Sequence, residues 1–192
     1  VITDLDGDGV PDLVMGTWRD RIAWWRNLGS VAAPEWVLAD SGLVTITRGS
    51  NAVPTVGDLD GDGDLDLVVG ESSGAINLYR NVGTRTAPAF ELVSDTFLGI
   101  DVGRRSAPTL VDLDGDGRLD LLIGSEDGEL QFWRRVGGME ELHFERDTDF
   151  LVTSDAYAAP AVGDLDGDGD LDLIVGAVSG GLRYFEGTAG DQ

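Results

Sequence analysis

The stretch D-L-D-G-D-G-D-L-D-L-V-V-G, Asp58 to Gly70, decides how this chain folds. Nearly the same run returns as D-L-D-G-D-G-V-P-D-L from Asp4 to Leu13, D-L-D-G-D-G-R-L-D-L from Asp112 to Leu121 and D-L-D-G-D-G-D-L-D-L from Asp164 to Leu173. A unit recurring at a little over fifty residues is the signature of stacked supersecondary repeats. Each copy carries carboxylates at its first, third, fifth and ninth positions and glycines at its fourth and sixth. Alternate side chains turned inward on a sharply coiled loop offer a hard cation the six to eight oxygens that calcium takes.

The candidate ligands of the first copy are Asp4, Asp6, Asp8 and Asp12, with the backbone carbonyl of Val10 at the seventh position. Those of the second are Asp58, Asp60, Asp62 and Asp66 with the carbonyl of Asp64. The third set is Asp112, Asp114, Asp116, Asp120 and the carbonyl of Arg118, and the fourth is Asp164, Asp166, Asp168, Asp172 and the carbonyl of Asp170. Val, Asp and Arg share the seventh position, as expected where only the backbone is used. Gly9, Gly63, Gly117 and Gly169 permit the sharp turn, because a residue without Cβ enters positive φ at little cost.

An EF-hand opens with the same D-x-D-x-D-G but needs a bidentate Glu at its twelfth position. That position here is Met15, Val69, Ile123 and Val175, and a strand follows at once. The EF-hand reading fails. Asp-Gly runs also make plain turns. Four carboxylates in one short loop repel each other, however, and the neighbouring sequence shows no recurrent Lys or Arg to compensate them. Calcium, about one ion per repeat, is therefore the expectation.

The 192 residues carry a net charge of −23, which argues against nucleic acid and anionic membrane surfaces as partners. Half of the 36 acidic residues lie in the four loops, and four calcium ions would bring −23 to −15. No apolar run approaches the ~20 residues that span a bilayer. Absence of an initiator Met or signal peptide suggests a chain processed or cut from a longer one. No cysteine is present, so disulfides and thiolate metal sites are excluded. Extracellular modules hold calcium at roughly 10⁻⁴–10⁻³ M. A secreted or surface location follows, with a lean towards a prokaryotic source.

Each repeat reads as four short strands. In the second they are A (Ala52–Asp58), B (Leu65–Glu71), C (Ala75–Asn81) and D (Ala89–Asp95), with the acidic loop between A and B. Four strands per repeat describe an all-β fold, a β-propeller of antiparallel four-stranded blades. The repeats run approximately 1–51, 52–105, 106–157 and 158–192 within one domain. The B strands are continuous apolar runs, so both sheet faces must be covered. Pro54, Pro108 and Pro160 recur in strand A, which places A at a sheet edge lining the channel. Four A, B and C strands but only three D strands are expected.

Paired large residues in strand C (Trp24/Trp25, Leu78/Tyr79, Phe132/Trp133, Tyr184/Phe185) point to packing between blades in preference to a sugar platform. Trp18, in the B–C turn, is a ligand-contact candidate or packs on a neighbouring blade. Asp20 replaces in that turn the glycine of Gly74, Gly128 and Gly180.

The loop D-x-D-G-D-G-x-x-D-L, the A-P before it and the run Y-R-N-x-G-T…A-P-x-F, Tyr79 to Phe90, resemble the FG-GAP/VCBS repeats of integrin-alpha-type propellers and of many secreted bacterial proteins. The resemblance implies calcium in the loops named, at one end of a propeller of usually seven or eight blades. Four incomplete repeats depart from that number, the fourth lacks N-x-G after strand C, and Arg135 stands where Asn27 and Asn81 do. A segment of a larger ring, or copies associating through open blade faces, is therefore expected, with a compact four-blade closure as the alternative.

The functional expectation is a non-enzymatic, calcium-stabilised module for adhesion, protein recognition or assembly, with a glycan-binding lectin as the second reading. His143 is the sole histidine, placed in a strand, and nothing pairs a nucleophile with a base. Glu71, Glu126 and Asp127 near the B–C turns have no assigned role.

Overall fold

A computed structural model describes residues 1–138 and 141–188. Its strands fall into four antiparallel sheets taken strictly in chain order. The first holds β1 (Ile2–Thr3), β2 (Asp12–Gly16), β3 (Arg21–Asn27) and β4 (Trp36–Thr45). The second holds β5 (Val53–Gly57), β6 (Asp66–Gly70), β7 (Ile76–Asn81) and β8 (Phe90–Ser94). β9 (Ala107–Val111), β10 (Asp120–Gly124), β11 (Leu130–Val136) and β12 (His143–Asp147) form the third. β13 (Ala159–Gly163), β14 (Asp172–Gly176) and β15 (Leu182–Phe185) form the fourth, three-stranded among the described residues. The only helix among the described residues is a single 3₁₀ turn, Phe97–Gly99.

The all-β architecture of antiparallel blades is the expected one, and its four blades are arranged as a four-blade propeller, the arrangement expected from the sequence only as the alternative to a segment of a larger ring. The second blade has the four strands the sequence predicts, each trimmed by about a residue at its ends. The registers repeat: Pro54 lies opposite Val69, Pro108 opposite Ile123 and Pro160 opposite Val175. Each of these prolines sits on the sheet's first strand, an edge, where a missing N–H leaves no ladder bond unmade.

Three apolar clusters make the core, one at each junction between successive blades. Leu5, Val14 and Ile22 of the first blade meet Leu67, Val69 and Tyr79 of the second. Leu59, Val68 and Ile76 of the second meet Leu121 and Ile123 of the third, and Leu122, Leu130 and Phe132 of the third meet Val175 of the fourth. Strands β6 and β10 are buried along their whole length, because alternate side chains serve the junction on either side. Among the described residues, the first and fourth blades do not pack on one another in this way, so β2 and β14 are each only partly buried.

Backbone approach is closest where strand B ends. A Cβ on Gly70 would stand 2.2 Å from the carbonyl of Ser106 and 2.5 Å from Pro108 Cδ. A Cβ on Gly124 would stand 2.2 Å from the carbonyl of Ala158. Those glycines let the next blade's first strand lie directly against the sheet.

Candidate metal centre

Each acidic loop joins the edge strand of a blade to the second strand: β1 to β2, β5 to β6, β9 to β10 and β13 to β14. Carboxylates and amides of the loop interlock in one repeated pattern. The first carboxylate accepts the amide of the sixth residue, Gly9 to Asp4 at 3.0 Å, Gly63 to Asp58 at 3.0 Å, Gly117 to Asp112 at 2.9 Å and Gly169 to Asp164 at 3.2 Å. The fifth carboxylate accepts the amide of the seventh residue at 2.9 Å in every loop: Val10 to Asp8, Asp64 to Asp62, Arg118 to Asp116 and Asp170 to Asp168. The third carboxylate accepts the amide of the fifth residue, as from Asp62 to Asp60 at 3.3 Å. Such turns orient the loop. The coil needs positive φ twice, at Gly61 (80°) and Gly63 (90°), so the fourth-position glycine is as necessary as the sixth.

This coil brings carboxylate oxygens of Asp4, Asp6 and Asp8 within 4.8 Å of one another, and likewise those of Asp58, Asp60 and Asp62. In the third and fourth loops the trios are Asp112, Asp114, Asp120 and Asp164, Asp166, Asp172. An ion held at about 2.4 Å by each oxygen spans that distance. Asp4 Oδ1 is buried with no hydrogen-bond donor. An all-oxygen donor set with such an orphaned oxygen fits a hard divalent cation.

The ninth-position aspartates have a second task that sequence reasoning missed. Asp66 Oδ1 accepts the amide of Asn81 at 2.9 Å and its Oδ2 the amide of Leu59 at 3.2 Å. Asp120 holds Arg135 and Leu113 in the same way, and Asp172 holds Gly187 and Leu165. Asp12 takes the Asn27 amide and, differently, the indole N–H of Trp24 at 2.9 Å. Burial pushes the carboxyl pKa of Asp66 and Asp120 up, against the pull of those amides. At Asp172 the amides of Gly187 and Leu165 hold it down. Burial, with Asp12 nearby, raises that of Asp6 against the opposing Arg26.

The expectation of uncompensated loops is corrected. Arg26 pairs with Asp6 and Asp8, Arg80 Nε lies 3.3 Å from Asp60, and Arg134 Nε lies 3.5 Å from Asp114. These arginines occupy one position of the third strand, visible in W-R-N, Y-R-N and W-R-R, and the hairpin folds that position back over the loop. Glu186 takes it in the fourth repeat. Arg85 adds a longer contact from the second blade to Asp4 at 3.7 Å, and Arg118 turns aside to Asp116 and the carbonyl of Gly137.

Other sequence candidates separate cleanly. Trp18 is 78% exposed in a shallow hollow with Thr17 and Arg21, so it does not pack on a neighbouring blade. Asp20 is not at positive φ, unlike Gly74 at 95°. His143 is an exposed residue of β12, and Glu71 is a buried carboxylate bonded to the amide of Ser73 at 2.6 Å. Asn27 and Asn81 secure the turn into the fourth strand, each accepting two amides. Arg135, which replaces them in the third blade, is fully buried. A cavity of about 450 Å³ between the third and fourth blades is lined by Phe132, Phe150, Leu173 and Phe185. The other two junctions are filled from the fourth strand, by Phe90 and Phe144.

An all-β propeller with one acidic metal-type loop per blade defines the class. The FG-GAP-like repeat matches residues 4–69, 58–123 and 112–175, and the chain belongs to that family. It is 30% identical to integrin alpha-4 of Xenopus laevis over 138 residues, covering 64% of this chain and 13% of that protein. It is 27% identical to human integrin alpha-11 over 161 residues, 74% of this chain and 14% of that protein. The chain is thus an integrin-alpha-like FG-GAP propeller spanning a small part of these relatives' length. No helix among the described residues is long and apolar enough to cross a membrane.

Proposed function

We propose that this chain is a calcium-stabilised, non-enzymatic propeller module that serves adhesion or protein recognition outside the cell. One observation carries the reading: a three-carboxylate cluster recurs in all four blades, always with the first and third aspartates of the loop, joined by the fifth in the first two and the ninth in the last two. The first- and third-position aspartates, with Asp8 and Asp62 in the first two loops and Asp120 and Asp172 in the last two, would hold the ion, and the remaining fifth- and ninth-position aspartates and the seventh-position carbonyls would complete the set. The ion supplies charge neutralisation to loops that join the two inner strands. Kinship with the integrin alpha chains supports protein partners. Calorimetric titration with calcium tests the reading. Saturable uptake that is lost in Asp60→Ala for the second loop supports it, and no heat at millimolar calcium overturns it.

Exposure of Trp18 supports a second reading, glycan binding, since an exposed indole stacks on sugar rings. A glycan array probed with the wild type and Trp18→Ala separates the two: binding that disappears with the indole favours a lectin.

A further inference from the structure

Two of the four acidic loops are the same in sequence. The ten residues from Asp58 and the ten from Asp164 both read D-L-D-G-D-G-D-L-D-L, so ligand types, turn glycines and the seventh-position residue do not tell them apart. What differs is the side chain that the third strand brings beside them. In each blade the ninth-position aspartate holds one amide near the end of that strand: Asn27, Asn81, Arg135 or Gly187. The residue just before that amide is thereby fixed next to the loop. It is Arg26, Arg80 and Arg134 in the first three blades and Glu186 in the fourth.

The three arginines reach the same carboxylate of their loops. Arg26 pairs with Asp6 and Asp8, Arg80 Nε lies 3.3 Å from Asp60, and Arg134 Nε lies 3.5 Å from Asp114. In the first three loops the third-position aspartate that an ion would need is therefore already engaged by a guanidinium. Glu186 brings a negative charge to the corresponding place. Arg183, the sole arginine after Arg146, does not offset it, because it donates to the Thr153 carbonyl at 2.6 Å. A unit charge about 6 Å from a divalent ion in a water-like medium changes the ion's affinity roughly tenfold, and reversing its sign counts twice.

We propose that this one position of the third strand grades the loops, so that the fourth loop takes up a divalent cation at a concentration well below that needed by the first three. The inference rests on the calcium reading and adds an order of filling to it. The fourth loop is the resident site, and the other three fill as calcium rises. Arg26, Arg80 and Arg134 serve those three as built-in counter-ions, which partly neutralise the carboxylates while no cation is bound.

Calorimetric titration of calcium into chelator-treated protein at low salt tests the order. Expected are one tight site and a weaker group, separated roughly tenfold or more, with the tight site lost in Asp166→Ala and kept in Asp60→Ala. Glu186→Arg should bring the tight site down to the level of the others, Glu186→Gln should weaken it less, and Arg80→Gln should tighten the second loop several-fold. Raised salt should narrow the gap, which a merely structural role for this position would not do. Glu186 is exposed and the Arg80 side chain is 41% exposed, so these replacements bury no new charge, and circular dichroism checks that each variant is folded. Four equal sites, a tight site that survives Asp166→Ala, or a Glu186→Arg variant that retains it overturns the proposal and leaves the calcium reading standing. Absence of any calcium heat in the wild type overturns both.

Discussion

Asp66 Oδ1 accepts the backbone amide of Asn81 at 2.9 Å, tying the end of the acidic loop to the end of the third strand. The same tie joins Asp12 to Asn27, Asp120 to Arg135 and Asp172 to Gly187. A residue at the ninth position therefore organises the blade even before any ion is considered.

Substitution at that position should be costly in chelator as well as in calcium. Asp66→Ala leaves the buried amides of Asn81 and Leu59 without acceptors, at about 1–3 kcal/mol for each such group. Asp62→Ala, at an exposed position, should be nearly neutral in chelator and harmful only with calcium. Urea unfolding of both variants in excess EGTA measures the difference, and equal costs would refute the anchoring role.

Calcium removal should lower the melting temperature. Each site held at ten times its Kd adds roughly 1.4 kcal/mol, so four independent sites add on the order of 5 kcal/mol, comparable with the stability of a whole domain. Thermal melts with calcium and with EGTA check this, and superimposable curves would contradict it.

The arginines beside the loops should weaken their hold on a cation. Arg80→Ala removes a positive charge 3.3 Å from Asp60, so the second loop should bind calcium several-fold more tightly at low salt, an advantage that fades as salt screens it. Titration of wild type and variant at two ionic strengths reads the effect. A weaker second site at low salt would instead mean that Arg80 shapes the loop.

Tyr79 links stability to alkaline pH. Its hydroxyl donates to the carbonyl of Thr45 across the first junction at 3.0 Å, and burial pushes its pKa up to about 12. The unfolded phenol ionises near 10. A raised pKa means the folded state keeps its proton longer, so this group's contribution is complete below pH 10 and falls as pH rises towards 12. The loss is on the order of 2 kcal/mol. Tyr79→Phe should flatten that part of the stability–pH curve, and an unaltered slope would count against it.

Two glycines at one repeat position should respond oppositely to alanine. Gly70→Ala drives a Cβ to 2.2 Å from the Ser106 carbonyl, and such overpacking costs about 1–3 kcal/mol. Gly176→Ala meets its nearest atom at 3.8 Å and should be tolerated. Chemical denaturation of both variants checks the pair, and equal costs would contradict it.

Spacing along the chain was enough to determine the blades, the strand order within them and the acidic loops, because turn geometry and side-chain alternation act over a few residues. It also placed Pro54 and its counterparts on edge strands. Contacts between residues far apart in sequence were decided only by the tertiary structure. Arg80 reaches Asp60 because a hairpin returns the third strand over the loop, and Asp66 is an anchor because that return brings the Asn81 amide to it. Gly70 must be glycine because the next blade arrives there, whereas Leu182 lies bare because no described blade does. Local conformation is written in neighbouring residues, but what a face meets depends on how whole sheets stack.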